Sequence, residues 1–71
     1  MKIEIRKKSI TRPYAVFIDD IDFGDFDNLN LGKFSYFPKR QDRLTGEHYI
    51  AIGRELIRIN KAFQAWLTHN N

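Results

Sequence analysis
Apolar residues recur along this 71-residue chain with two different periods, and the change from one to the other divides it. In the first part the period is two. Met1 to Lys8 alternates Ile3 and Ile5 with Lys2, Glu4 and Arg6, the pattern of a strand with one buried face. Arg12 precedes Pro13 and is pushed toward extended backbone, so a turn is expected between Lys7 and Pro13. Tyr14 to Ile18, YAVFI, is β-prone throughout. Its Tyr14, Val16 and Ile18 share a face with Ile3 and Ile5 if the two strands pair as a hairpin. Lys33 to Phe37, KFSYF, alternates again before Pro38 and reads as a third strand.

In the last part the period is that of a helix. Ile52, Leu56, Ile59, Phe63 and Trp66 follow one another at steps of four and three, which aligns them along one stripe. Arg54, Arg58 and Lys61 recur at the same spacing off that stripe, giving a basic side. Residues 47–52, EHYIAI, fit both templates. Tyr49 extends the stripe backwards into a helix starting at Thr45, while His48, Ile50 and Ile52 alternate as a strand would. Gly53 favours the strand, because glycine inside a helix costs about 1 kcal/mol relative to alanine and is at home at a strand-to-helix junction. The expectation is therefore a fourth strand over 47–52 and a helix from Arg54 to about Thr68, with His69, Asn70 and Asn71 as a polar end.

Between the two halves, Asp19 to Gly32 reads DDIDFGDFDNLNLG. Asp, Asn and Gly bond to their own backbone or tolerate positive φ, so turn and loop are expected. Ile21, Phe23, Phe26, Leu29 and Leu31 run through the segment and are expected to pack back on the domain. Strands followed by one helix make an α+β domain: a small antiparallel sheet of three to four strands, covered on one face by a single C-terminal amphipathic helix. Trp66 and Phe63 would lie over Ile3, Ile5, Val16, Ile18, Phe34, Tyr36, Ile50 and Ile52. On that reading, truncating either aromatic to alanine costs about 3 to 5 kcal/mol.

Composition narrows the class. Residues 1–71 make one domain near the lower size limit for folding without staples, so a monomer or a small homo-oligomer is expected. No cysteine is present to supply a disulfide or a cysteine-type zinc site, and no apolar run approaches the length that spans a bilayer. A cytoplasmic protein without a membrane partner is the expectation. Charge is segregated: residues 1–12 set five basic side chains against Glu4, residues 13–32 carry only five aspartates, and residues 33–71 set seven basic side chains against Asp42, Glu47 and Glu55. Such segregation makes either a bipolar surface or a fold in which the acidic segment neutralises its basic neighbours.

Candidate chemistry is sparse. Read as a calcium loop from Asp20, the acidic run has Asp25 where glycine belongs and Leu31 where glutamate belongs, so no metal and no cofactor is expected. His48 and His69 stand apart from any nucleophile pattern, with Ser9 and Ser35 the only serines, and no catalytic residue or enzyme activity is expected. Lys39, Arg40 and Arg43 of the loop before the helix, with Arg54, Arg58 and Lys61 on it, suit phosphate contacts and make nucleic acid the first candidate partner, with Lys7, Lys8 and Arg12 as possible additions. Were the outer sheet face to read a duplex, Arg6, Lys33, Phe37 and Tyr49 would point that way. The alternative is a modulator of a host protein that uses the acidic loop, with Asp22, Phe23, Asp25 and Phe26 as contacts.

From Tyr36 to Trp66 the order of features, carried by Arg43, Thr45, Gly46, Tyr49, Ile52 and Gly53, resembles the arm-type DNA-binding domain of lambdoid tyrosine integrases. That resemblance implies a sheet face inserted in the major groove. The chain as a whole, short, cysteine-free, beginning MKI and ending soon after an aromatic-rich helix, is similar in style to small early-region proteins of lambdoid prophages. This likeness implies a non-enzymatic interaction or regulatory role in bacterial or phage cytoplasm.

Overall fold
The computed structural model describes residues 1–9, 13–29 and 32–69. Four strands, β1 (Ile3–Lys7), β2 (Tyr14–Ile18), β3 (Ile21–Asp27) and β4 (Ser35–Pro38), form one antiparallel sheet in the order β1-β2-β3-β4. A 3₁₀ turn at Gln41–Arg43 leads into a single helix, α1 (Gly46–His69), which covers one face. The architecture is the α+β class expected from the two periods, but two of its parts come from other residues than the pattern indicates. Of the turn expected between Lys7 and Pro13, residues 10–12 lie outside the described residues, as do Leu31, Asn70 and Asn71.

β1 and β2 pair as their alternation requires, Ile3 opposite Ile18 and Ile5 opposite Val16. The next connection is only Asp19–Asp20, with φ 50° and 68°. Two residues in the left-handed region form the tight hairpin turn whose twist suits β-strands, and aspartate is among the residues that tolerate it. Ile18 therefore meets Ile21 at once, and the acidic segment becomes β3 instead of a loop.

β3 hides its strand character behind a bulge. Phe17 pairs with Asp22 and Ala15 with Asp25, so one extra residue is inserted on β3 opposite Val16. Phe23 and Phe26 consequently both face the helix although three residues apart, at 4% and 0% exposure. Gly24 sits in the bulge at φ 122°, where a Cβ would lie 2.2 Å from the Phe37 carbonyl oxygen. The packing-back expected for this segment holds for these two phenylalanines and for Ile21, which packs partly buried against the core; Leu29 is instead exposed.

The fourth predicted strand is helix. Thr45 caps α1: its Oγ1 accepts the His48 N–H at 3.3 Å while His48 Nδ1 accepts the Thr45 N–H at 3.0 Å, a reciprocal box with histidine in the place usually taken by Glu or Gln. Gly53 is accommodated inside the helix, and Ile52 on the adjoining inward face is 2% exposed. The capped first turn and the burial of Ile52 outweigh the roughly 1 kcal/mol that the glycine costs.

The core is Val16, Ile18, Phe23, Phe26, Phe34, Ile52 and Ile59, with Ile3, Ile5, Tyr36, Leu56 and Phe63 packed against it. Trp66, expected in that core, is 58% exposed, and Ile50, expected beneath the helix, lies exposed upon it. Asn60 fixes the helix to the start of β4 by accepting the Phe34 N–H at 2.7 Å and donating to the Phe34 carbonyl at 3.1 Å. Gln64 adds a bond to the Gly32 carbonyl at 3.1 Å.

Candidate binding surfaces
The aspartates of the central segment meet the basic residues that flank it in sequence. Asp20 pairs with Arg6 at 2.9 Å, Asp25 with Lys8 at 3.2 Å and Asp22 with Lys39 at 3.1 Å, while Asp19 Oδ1 accepts the Lys2 backbone N–H at 2.8 Å. Arg6 also bonds Glu4 and lays its guanidinium 3.9 Å above the centroid of Phe17 on the sheet face turned away from α1. Of the two readings of the segregated charge, self-neutralisation describes this sheet face.

The Asp22 carboxyl shows the balance. Burial works to raise it, but the Gly24 N–H at 2.9 Å and the Lys39 ammonium hold it below the ordinary carboxylate range. Arg40 donates to the Asp22 backbone carbonyl at 2.6 Å, so two of the three loop cations proposed for phosphate contact are tied to one aspartate. Arg43 is exposed in the 3₁₀ turn and makes no ion pair among the described residues.

The helix cations stand apart from that cluster. Arg54 and Lys61 project from the side of α1 opposite its buried stripe, Arg58 lies at the flank of the helix, bordering the same cavity as Ile5 and Tyr14, and all three are exposed. Arg58 pairs with Glu55 at 2.8 Å, which raises its pKa further, whereas Arg54 and Lys61 make no ion pair among the described residues. The six predicted basic residues are thus not brought together: Lys39 and Arg40 lie at the Asp22 end of β3, Arg43 in the 3₁₀ turn, and Arg54, Arg58 and Lys61 on the helix. Ile50 and Ile57 lie among the helix cations at 59% and 57% exposure. Exposed isoleucines are not visible as such in the periodicity, because a strand reading puts Ile50 inside.

The residues proposed for protein contact occupy different environments. Asp22 and Asp25 are half-buried in ion pairs, and Phe23 and Phe26 belong to the core, where neither ring reaches a partner while the chain is folded. Of the residues assigned to the outer sheet face, Arg6 and Phe37 are there, Lys33 is exposed just before β4, and Tyr49 is on α1.

One cavity of about 330 Å³ opens where α1 runs past the sheet, lined by Ile5, Tyr14, Phe34, Ile59, Phe63 and Trp66 with Arg58 at its wall. Its rings form a chain: Tyr14 to Phe34 at 5.6 Å, Phe34 to Phe63 at 5.3 Å, and Phe63 stacked on Trp66 at 6.2 Å. Among the described residues no three His, Asp or Glu converge as a metal site, and no helix is long and apolar enough to cross a membrane. No protein-family model, curated protein or solved structure matches the chain.

Proposed function
We propose that the protein is a small, non-enzymatic binding module that engages nucleic acid through the outer face of α1, with Arg54, Arg58 and Lys61 contacting phosphate. The observation that carries this reading is the contrast between the two basic regions. Lys39 and Arg40 are occupied by Asp22, whereas Arg54 and Lys61 extend from a regular helix with no acidic partner among the described residues, and Arg58 holds only an exposed pair with Glu55 of the same helix, which a phosphate can displace. Cations already satisfied within the chain gain little from a phosphate. Cations held on a rigid helix and facing water exchange only solvent and counterions for it.

The test is fluorescence anisotropy with duplex and single-stranded oligonucleotides at a series of salt concentrations. Three phosphate contacts per chain on a duplex give a slope of log affinity against log salt of about −2.7, a loss of about 40-fold for a fourfold rise in salt. Changing Arg54, Arg58 and Lys61 together to glutamine should flatten that slope with the circular dichroism spectrum unchanged. Changing Lys39 and Arg40 should affect binding far less. Absence of binding to either oligonucleotide at low salt refutes the reading.

A further inference from the structure
The outer face of α1 carries more than its cations. Ile50 and Ile57 are seven residues apart, two helical turns, and therefore lie on nearly the same line; both are more than half exposed. Between them, and turned slightly toward the side of the helix that carries Asn60, is Gly53. A Cβ built there meets nothing within 4 Å, so the chain's own packing does not require a glycine. A mid-helix glycine costs about 1 kcal/mol relative to alanine. Its use where the chain leaves open space fits a surface that another backbone approaches, since interaxial distance is set by the side chains at the contact.

We propose that this surface is a self-association site: two copies of the chain pack their α1 helices antiparallel about a two-fold axis, Ile50 of each against Ile57 of the other, with the two Gly53 positions near the centre. Charge selects the direction. In this register Glu47 of one helix comes opposite Lys61 of its partner, and the same pair repeats across the axis. A parallel pairing would set Glu47 against Glu47 and Lys61 against Lys61. Ion pairs flanking an apolar seam fix helix orientation in this way. The two Arg54 side chains approach each other beside the axis, a local repulsion that replacing Arg54 by glutamine should relieve.

The contact is isologous, so it closes at two chains and leaves both sheets on one side of the helix pair. A second consequence concerns the basic face. Because the axis relates the two helices, both copies of Arg54 and Arg58 emerge on the same surface, and with Lys61 taken up by Glu47 these are the cations the pair leaves open to phosphate. The self-association stands without the nucleic-acid reading, and it is measured without nucleic acid.

The chain has no cysteine, which makes cross-linking clean. Sedimentation equilibrium across a wide concentration range should show the mass rising from one chain to two. Ile50→Lys or Ile57→Lys should weaken association by at least about tenfold while the folded spectrum is kept, both side chains being exposed. Mixing Ile50→Cys with Ile57→Cys under mild oxidation should give the mixed disulfide in preference to either homodimer. A single-chain mass at every concentration overturns the proposal and leaves the face to a different protein. Preferential cross-linking of Ile50→Cys to itself overturns the antiparallel register.

Discussion

Gly24 bears a tighter steric constraint than Gly46 or Gly53. Its φ of 122° is a region that side-chain-bearing residues rarely adopt, and the Phe37 carbonyl and Pro38 Cα occupy the space of a Cβ. Gly24→Ala should lower unfolding free energy by about 3 kcal/mol or more, read by urea denaturation. The neighbouring Phe23 carbonyl accepts both the Lys39 N–H at 3.0 Å and the Tyr36 hydroxyl at 2.5 Å. Burial, with Tyr49 and Asp22 nearby, pushes the Tyr36 phenol up to about 12. Because the folded value lies above the ordinary 10, the stability it contributes is complete below pH 10 and is lost as pH rises toward 12. Tyr36→Phe should be less stable at neutral pH, yet flatter than the parent over that alkaline window when melting temperature is followed. The donor role of Tyr36 could not be read from KFSYF, which shows only that the ring points inward. Asn60 likewise looks like an ordinary polar neighbour of Ile59, because bonds to Phe34, 26 residues away, leave no local signal.

At the level of elements, the sequence pattern carried direction better than extent. The stripe of Ile52, Leu56, Ile59 and Phe63 is the inward side of α1 as its spacing requires. Trp66 continues the stripe but finds no sheet beneath it: 24 helical residues span about 36 Å, whereas strands of four to seven residues reach about 13 to 23 Å. Trp66→Ala should therefore cost much less stability than Phe63→Ala in parallel thermal melts, contrary to the equal penalties that periodicity alone implies. The start of α1 was obscured by Gly53 and by a capping box closed through histidine. With space around its Cβ, Gly53→Ala should stabilise the isolated chain by up to about 1 kcal/mol, while Thr45→Ala should cost about 1 kcal/mol; both are read by denaturant titration. β3 was hidden for a different reason. A bulge shifts the inward positions from alternate residues to Phe23 and Phe26, and a two-aspartate turn lacks the Asn-Gly or Asp-Gly signature of a tight hairpin.

Over the whole molecule, the basic-acidic-basic order along the chain becomes a largely neutralised sheet face and a helix face on which Arg54 and Lys61 make no ion pair among the described residues. The sequence allowed both outcomes of its charge blocks, since neither the hairpin partners of the aspartates nor the path of residues 39–45 is written in composition. The ion pairs involved are partly exposed, and such pairs contribute roughly 0 to 1 kcal/mol each. Lys8→Gln should thus shift the thermal midpoint only slightly, in contrast to changes in the core.

The sheet is a simple meander, each strand paired with its successor, so all of its pairings are local. Among the described residues only α1 covers it, and α1 follows β1 to β4 in the chain. During synthesis, the hairpins can therefore form while Val16, Ile18 and Phe26 still lack their cover, and the exposed face persists until the ribosome has released Ile52 through Phe63. In that interval the uncovered apolar face is the surface through which unfinished chains would aggregate.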